Sequence, residues 1–355
     1  MTSPDPHSQR PYSDSPSDDL SFDSTLPSTA AGELWDSVII GGGASGLAAA
    51  QALGRSLRRT LVIDAGSPRN RFAEHMHTVL GHDGLAPAEL LRTGRAEAAR
   101  YGVIFHSGRV RHVRETPAEA SAEALSASPV RPRALTVSLA DSQQLSARTV
   151  IAATGVSDRL PEIPGLARRW GRSVLHCPYC HGWEVRSQRL GVLATSELGL
   201  HQAELLRQWS DQLTFFSAGA GELDAATAAR LESRGVTIEP TPVAELLGEG
   251  EALSAVILED GRRIGVDALF TAAELVPQDD FLSSLDLDRS ETMVGSFIAA
   301  DQNGRTSHDR IWAPGNLSSP MANVPMAVSA GTMAGAMANM TLVSEDFDLA
   351  QEVGR

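Results

Sequence analysis

The chain has 355 residues, 42% of them hydrophobic, enough for two domains with separate cores. Its formal charge is -14 and it carries no basic run, which argues against nucleic acid and against anionic membranes as partners, since both demand clustered cations. All 30 basic residues are arginine, so a phosphate-loop lysine, a pyridoxal Schiff base and a lysine general base are excluded.

Residues 1–32 are Ser, Pro and Asp with isolated apolar positions, too little to bury against the entropy of ordering, and read as a disordered tail. They lack the positive start and apolar run of a secretory signal. The protein is therefore expected in the reducing cytoplasm, where a pair of cysteines serves catalysis or metal binding rather than structure.

From Asp36 the sequence "DSVIIGGGASGLAAAQALGRSLRRTLVIDAG" reads as strand, glycine turn, helix and second strand ending at Asp64. Gly41, Gly43 and Gly46 fit G-x-G-x-x-G: the first makes the tight turn, the second lets backbone approach a pyrophosphate, and the third packs helix on strand. The pyrophosphate would sit on the free N–H groups of the helix start, and Asp64 lies where a carboxylate accepts ribose hydroxyls. Residues 116–133 read as a surface insertion, followed by the strands "ALTVSLA" and "ARTVIAATG" and a linker at Pro161–Gly165.

The string "HCPYCH", residues 176–181, holds both cysteines. Taken alone it accepts three chemistries: a redox dithiol, a c-type haem attachment site, or a compact Cys/His metal site. Residues 189–219 then repeat strand, turn, helix and strand, with Ala194, Ser196 and Gly199 at the glycine positions of the turn. Near the C-terminus "DRIWAPGNLSSPMANVPMAVSAGTMAGAMAN" reads as a strand, a Gly-Asn turn and a small-residue helix from about residue 325. Residues 317–343 carry no charge and place Gly331 and Gly335 at membrane-dimer spacing. Their Ser, Asn and Pro content gives poor transfer energy, so a buried helix in a soluble core is expected there instead of a membrane span.

The glycine turn at Gly41–Gly46, the "ATG" at 153–155, the Cys-x-x-Cys just past the domain crossing and the "APGN" before a glycine-bearing helix resemble the low-molecular-weight thioredoxin reductase family, over nearly the whole chain beyond residue 33. The resemblance implies an α/β fold of two nested Rossmann-like dinucleotide-binding domains. An FAD-binding domain in two parts, 33–160 and 281–348, would surround an NAD(P)H-like domain, 161–280, that carries the cysteines. It implies FAD held by Gly41, Gly43, Ala44, Ser45, Gly46, Asp64, Ala65, Thr154, Gly155, Gly315, Asn316 and Pro325, and it implies a homodimer. The longer string "HCPYCHGWE" resembles more narrowly the FAD-dependent dithiol oxidases of natural-product pathways, the gliotoxin and holomycin disulfide-forming enzymes. That likeness implies a small-molecule dithiol as substrate and dioxygen as electron acceptor.

Three departures from the reductase pattern stand out. The inserted domain lacks two of the three turn glycines, and its second strand ends at "FFSAGAGELDAA", without an Arg cluster for a 2′-phosphate or an acid for a ribose, so NADPH has no evident site. His181 stands where the reductase motif places Asp. Asn316 stands where the family commonly has Asp near the ribityl chain, and it retains a group for a hydroxyl.

A c-type haem requires export and an axial ligand, which a signal-less two-domain α/β chain does not offer. A structural metal site needs four converging ligands, but His176 abuts Cys177 and His181 abuts Cys180, and no second cysteine pair exists, so no metal is expected. A dithiol facing the flavin remains. Cysteines three apart at a helix start share a face and gain a lowered thiol pKa from the helix N-terminus. His181, one turn after Cys177, is placed to reach its sulfur and act as the base for a thiol proton. His176 reads as a packing residue; His75 and His77 could approach the flavin but earn no role from position. By the resemblance, Cys180 is the flavin-proximal sulfur and Cys177 the one that meets substrate. Three functions are compatible: a dithiol oxidase, a disulfide reductase for thioredoxin or a similar protein fed by NADPH or ferredoxin, and a flavin-binding regulator. The retained Cys-x-x-Cys-His argues against the last.

Overall fold

The apolar run Leu34–Ile40 forms β1, the Gly41–Gly43 turn follows, and the alanine-rich stretch Ala44–Arg55 forms α1, which returns the chain to a parallel β2, Thr60–Asp64. The computed structural model describes residues 34–116 and 132–353, so the tail and most of the 116–133 insertion lie outside the described residues. Helix α2, Pro87–Ala99, opens on a proline, whose missing N–H is harmless at a helix start, and leads to β3, Ile104–Ser107. Strands β4, Val110–Glu115, β5, Leu135–Leu139, and β6, Gln144–Ala152, run back antiparallel, and β6 ends parallel to β1 with Ile39 opposite Ile151.

The chain then leaves this sheet through β7, Val156–Arg159, and builds a second one. Its elements are β8, Val174–Leu175; α3, Pro178–His181; β9, Leu190–Leu193; α4, Leu198–Leu206; β10, Leu213–Phe216; α5, Ala225–Glu232; and β11, Val236–Glu239. An antiparallel sheet not anticipated from the sequence follows, formed by β12, Val243–Leu247, β13, Ala255–Leu258, and β14, Arg263–Gly265. Strand β15, Ala268–Thr271, completes the parallel sheet β11-β10-β9-β15-β8, and β16, Glu274–Pro277, pairs antiparallel with β7 on the way back. After the hairpin β17, Arg289–Thr292, and β18, Gly295–Ile298, strand β19, Ile311–Trp312, returns parallel to β6. The first sheet therefore reads β3-β2-β1-β6-β5-β4 with β19 beside β6, an α/β arrangement of Rossmann type with one sheet inserted in the connectivity of the other.

Alternation along β1 sends Val38 and Ile40 into one core and Ile39 into another, because successive side chains of a strand face opposite sides of the sheet. Both faces are thus covered, which is why these strands read as continuous apolar runs.

The last helix, α6, runs Val324–Val353 and corrects the expectation of a buried helix. Only the stripe Gly331, Ala334, Gly335, Ala338 and Leu342 is buried, while Met326, Met333, Met340 and Phe347 are exposed. The cause is length: α6 has 30 residues and packs mainly on α1, which has 12 and covers one side. A Cβ at Gly331 would collide with the Ser45 carbonyl, and one at Gly335 would lie 2.8 Å from the Ala49 carbonyl. The glycine spacing thus serves close approach of two helices within this chain. By length and composition alone α6 is apolar enough to cross a membrane.

Candidate active site

The ends of β1, β2, β6 and β19 meet the starts of α1 and α6 at one edge of the first sheet, and the expected cofactor residues gather there. Gly41 has φ +104°, and a Cβ there would lie 2.5 Å from the Ala153 carbonyl, so only glycine fits. A Cβ at Gly46 would collide with the Gly41 carbonyl, which ties α1 to β1. Gly43 is different: it is the N-cap of α1, no side chain caps the helix, and an added Cβ meets nothing within 4 Å. The helix therefore opens at Gly43 onto space where the first N–H donors, of Ala44 and the buried Ser45 after it, are uncapped by any side chain.

Asp64 ends β2 with Ala65 after it; its carboxylate accepts the Gly66 N–H at 3.2 Å and pairs with Arg95 of α2. Arg95 was not visible as a partner in the sequence; buried in α2, it fixes the carboxylate that would meet a ribose. Thr154 is committed elsewhere, its hydroxyl donating to the Gln278 carbonyl at 2.7 Å. Gly155 lies beside Asn316, whose amide donates to the carbonyls of Ser319, Pro320 and Ala322 and so shapes the loop entering α6 next to Pro325. Gly315, at φ +76°, leaves 2.9 Å between an added Cβ and the Ser45 hydroxyl. A bare helix start, an adjacent carboxylate and side-chain-free approaches at Gly43 and Gly155 fit a dinucleotide.

Cys177 caps the one-turn helix α3, and the N–H groups of Cys180 and His181 both donate to its carbonyl at 3.2 Å. Gly182, which follows α3, must be glycine because a Cβ there would stand 2.6 Å from the Pro178 carbonyl and 2.8 Å from the Trp209 ring. Both cysteines are free and partly buried. The Cys177 thiol is pulled down to about 7, chiefly because the Cys180 thiol donates to it, with the N–H groups of Cys180 and Tyr179 and the charge of Arg69 helping against burial. Cys180 is pushed up by making that bond, by burial and by the charges of Cys177 and Glu184. The lowered pKa expected at the helix start thus belongs to Cys177 alone, and its main source is the neighbouring thiol.

The expected contact of His181 with the Cys177 sulfur is not made: among the described residues no hydrogen bond joins the ring to either sulfur. α3 ends at His181, and its side chain lines a cleft of about 360 Å³ between the two sheets, together with His77, Glu184 and Arg172. Burial pushes the His181 pKa down, Glu184 pulls it up, and His77 and His176 push it down. His176 packs at 6.4 Å from Trp170 in a tilted ring contact, and burial lowers its pKa too.

Sequence reading missed Arg69 and gave His77 no role. Arg69, in the turn after β2, is held by Asp158 of β7 through two bonds of 2.7 and 2.9 Å, close enough for its charge to favour the Cys177 thiolate. His77 lies between two carboxylates, its Nδ1 3.4 Å from Asp83 and its Nε2 3.4 Å from Glu184. Only "AEHMH" hinted at the second, and nothing local hinted at the first.

In the inserted domain the matching turn has Ala194 buried and Ser196 exposed where the first turn has Gly41 and Gly43. A Cβ at Gly219 would collide with the Ala194 carbonyl, and one at Gly199 would lie 2.8 Å from the Ala194 side chain, which is buried.

The pattern of the family described as pyridine nucleotide-disulphide oxidoreductase matches residues 35–335. A protein named thioredoxin reductase tcpT, from Claviceps purpurea (strain 20.1), is 33% identical over 324 residues, covering 87% of this chain and 95% of its own. Among solved structures, that of HlmI is 39% identical with a TM-score of 0.82, covering 90% of this chain and 95% of its own. An oxidoreductase from Agrobacterium tumefaciens is 37% identical with a TM-score of 0.79, covering 88% of this chain and 99% of its own. With the nested sheets, the dinucleotide cradle and the paired cysteines, these matches make the chain an oxidoreductase of the pyridine nucleotide-disulphide oxidoreductase family, with the thioredoxin reductase type of fold.

Proposed function

We propose that the protein is an FAD-dependent dithiol oxidase that closes an intramolecular disulfide in a small-molecule natural product, a dithiolopyrrolone such as holomycin or a similar dithiol, with dioxygen as acceptor and hydrogen peroxide as product. The observation that carries the reading is the Cys177–Cys180 pair, with the Cys180 thiol donating to Cys177, whose neighbour His181 lines a cleft of about 360 Å³, the size of a small-molecule site. The loss of two turn glycines at Ala194 and Ser196 and the missing Arg cluster after β10 support it against a pyridine nucleotide donor, and so does similarity to HlmI.

The cycle starts from the Cys177–Cys180 disulfide. A substrate thiolate attacks the Cys177 sulfur, the enzyme S–S bond breaks, and Cys180 leaves as thiolate and takes up a proton. The second substrate thiolate then attacks the substrate sulfur of the mixed disulfide, closing the product ring and expelling Cys177. Two electrons pass to the enzyme pair. Cys177 leaves readily because its thiol is held at about 7, and His181 takes the substrate's thiol proton. Gly41, Gly43, Gly46 and Asp64 would hold FAD, which would supply a two-electron acceptor for the enzyme dithiol, with dioxygen as final oxidant.

The tcpT name favours a second reading, a disulfide reductase for thioredoxin or another protein, supplied by NADPH or ferredoxin. Oxygen uptake driven by a dithiol, set against anaerobic flavin bleaching by NADPH, decides between the two. The favoured reading includes a homodimer, with the exposed Met326, Met333 and Met340 side of α6 as apolar surface for a second copy, acting in the cytoplasm.

A further inference from the structure

We propose that Gln202 is a positioning residue for thiol exchange: from α4 its side-chain amide holds the His176 carbonyl, and with it the peptide link that sets Cys177 at the start of α3. The inference rests on the dithiol-oxidase reading, in which Cys177 is the sulfur that meets substrate.

Gln202 lies one turn into α4 and is 9% exposed, between the buried Gly199 and Leu206 of the same helix. Its Nε2 donates to the His176 carbonyl at 2.9 Å across 26 positions of chain. A carbonyl accepts only from a donor, so the amide must present its N–H side there. That leaves Oε1 buried and, among the described residues, without a hydrogen-bond partner. A residue needed only to fill this space would be apolar, because burying an unmatched oxygen is unfavourable. What an apolar side chain cannot supply is the donor to His176.

That carbonyl stands where the sheet hands the chain to the redox helix. β8 pairs with β15 through Val174 and Leu175, and Cys177, at φ −110° and ψ 114°, is already the cap of α3. His176 is the residue between them, so the plane of the 176–177 peptide sets the direction in which the Cys177 side chain leaves the backbone. With that plane fixed, the sulfur meets the N–H groups of Tyr179 and Cys180, which help hold the thiol at about 7. On the other side of the cysteines the same segment acts by packing: Trp209, just past α4, meets the Tyr179 ring edge-on at 6.0 Å and leaves no room for a Cβ at Gly182. Packing locates the turn, whereas the Gln202 bond orients it.

The test follows iodoacetamide alkylation of Cys177 against pH in the reduced protein, by peptide mass mapping, for wild type, Gln202→Met, Gln202→Asn and Ala203→Gly, with the melting temperature of each. Gln202→Met keeps the length and loses the donor. Its alkylation midpoint should rise from about 7 by about one pH unit, which slows alkylation at pH 7 roughly fivefold. Gln202→Asn, whose donor falls one methylene short, should move the midpoint in the same direction by less. Ala203→Gly loosens the buried face of α4 without touching the amide, so it should lower the melting temperature and leave the midpoint in place. In the flavin-loaded enzyme, with dithiothreitol as the dithiol, Gln202→Met should also slow oxygen uptake several-fold, because a sulfur of higher pKa leaves the mixed disulfide less readily. An unmoved midpoint in both Gln202 variants, or an equal shift in Ala203→Gly, overturns the role of Gln202 while leaving the oxidase intact. A wild type that takes up no oxygen with the dithiol overturns the oxidase reading and the part given to Gln202 in exchange, even where the midpoints move.

Discussion

Two cysteines three positions apart behave as different acids. Cys177 sits at about 7 because Cys180 and two backbone N–H groups donate to it, whereas Cys180 is pushed up by the same bond and by Glu184. Thiolates, not thiols, react with alkylating agents. Iodoacetamide added to the reduced protein should therefore modify Cys177 first, at a rate rising with pH to a midpoint near 7, as read by peptide mass mapping. Cys180→Ser should trap substrate on Cys177 as a mixed disulfide, and both serine variants should lose turnover; an adduct on Cys180 would reverse the assignment. His181→Ala should keep flavin and disulfide but turn over more slowly by about 10² to 10⁴. That deficit should shrink as pH rises toward the thiol pKa, where substrate is already thiolate. The glycines separate in the same way. Gly43→Val places its side chain in open space, so the protein should fold with a melting temperature near that of wild-type apoprotein yet purify colourless. Gly46→Val collides with backbone and should fail to accumulate as folded protein.

At the scale of elements, the pairing of α1 with α6 joins the first and last segments of the cradle. Their approach rests on Gly331 and Gly335 against the Ser45 and Ala49 carbonyls. It is secured at the far end by Arg148 of β6, which reaches Asp36, Glu345 and Asp346. Gly331→Val must push α6 away from the turn that begins α1. The expected result is destabilisation of about 1–3 kcal/mol, the usual range for overpacking, with weakened flavin retention, read by thermal melting and by flavin released on dilution. Full retention of both would mean that α6 does not support the cradle.

For the whole molecule, the two sheets carry unequal nucleotide turns. The first is open at Gly43; the second has a serine side chain, Ser196, at the matching position and no Arg cluster beyond β10. NADPH and NADH should consequently reduce the flavin negligibly under anaerobic conditions, while a vicinal dithiol bleaches it quickly and air restores the yellow form. Rapid bleaching by NADPH alone would promote the reductase reading. The cleft between the sheets draws its walls from both: Glu74, His75 and His77 from one side, Arg172, His181 and Glu184 from the other. A small molecule in it would therefore touch both bodies, with the ion pair of Arg172 and Glu74 closing across them.

What the sequence determined by itself was everything set by a short contiguous stretch. The Gly41–Gly46 turn, the carboxylate at the end of β2, the small-residue helix and the helix-capping cysteine all depend on backbone geometry imposed by neighbouring residue types, so pattern and spacing were enough. The tertiary structure decided whatever depends on segments distant in sequence. Arg95 reaches Asp64 from 31 positions away and Arg69 reaches Asp158 from 89, and neither pairing leaves a local trace. His181 lies on α3 as expected, but it lines the cleft with His77 and Glu184 and makes no bond to the Cys177 sulfur, because what surrounds a ring depends on the distant chain packed beside it. The last helix was legible as a helix and misjudged in burial for the same reason: composition sets what a segment can bury, while the size of the surface packed against it sets what it does bury.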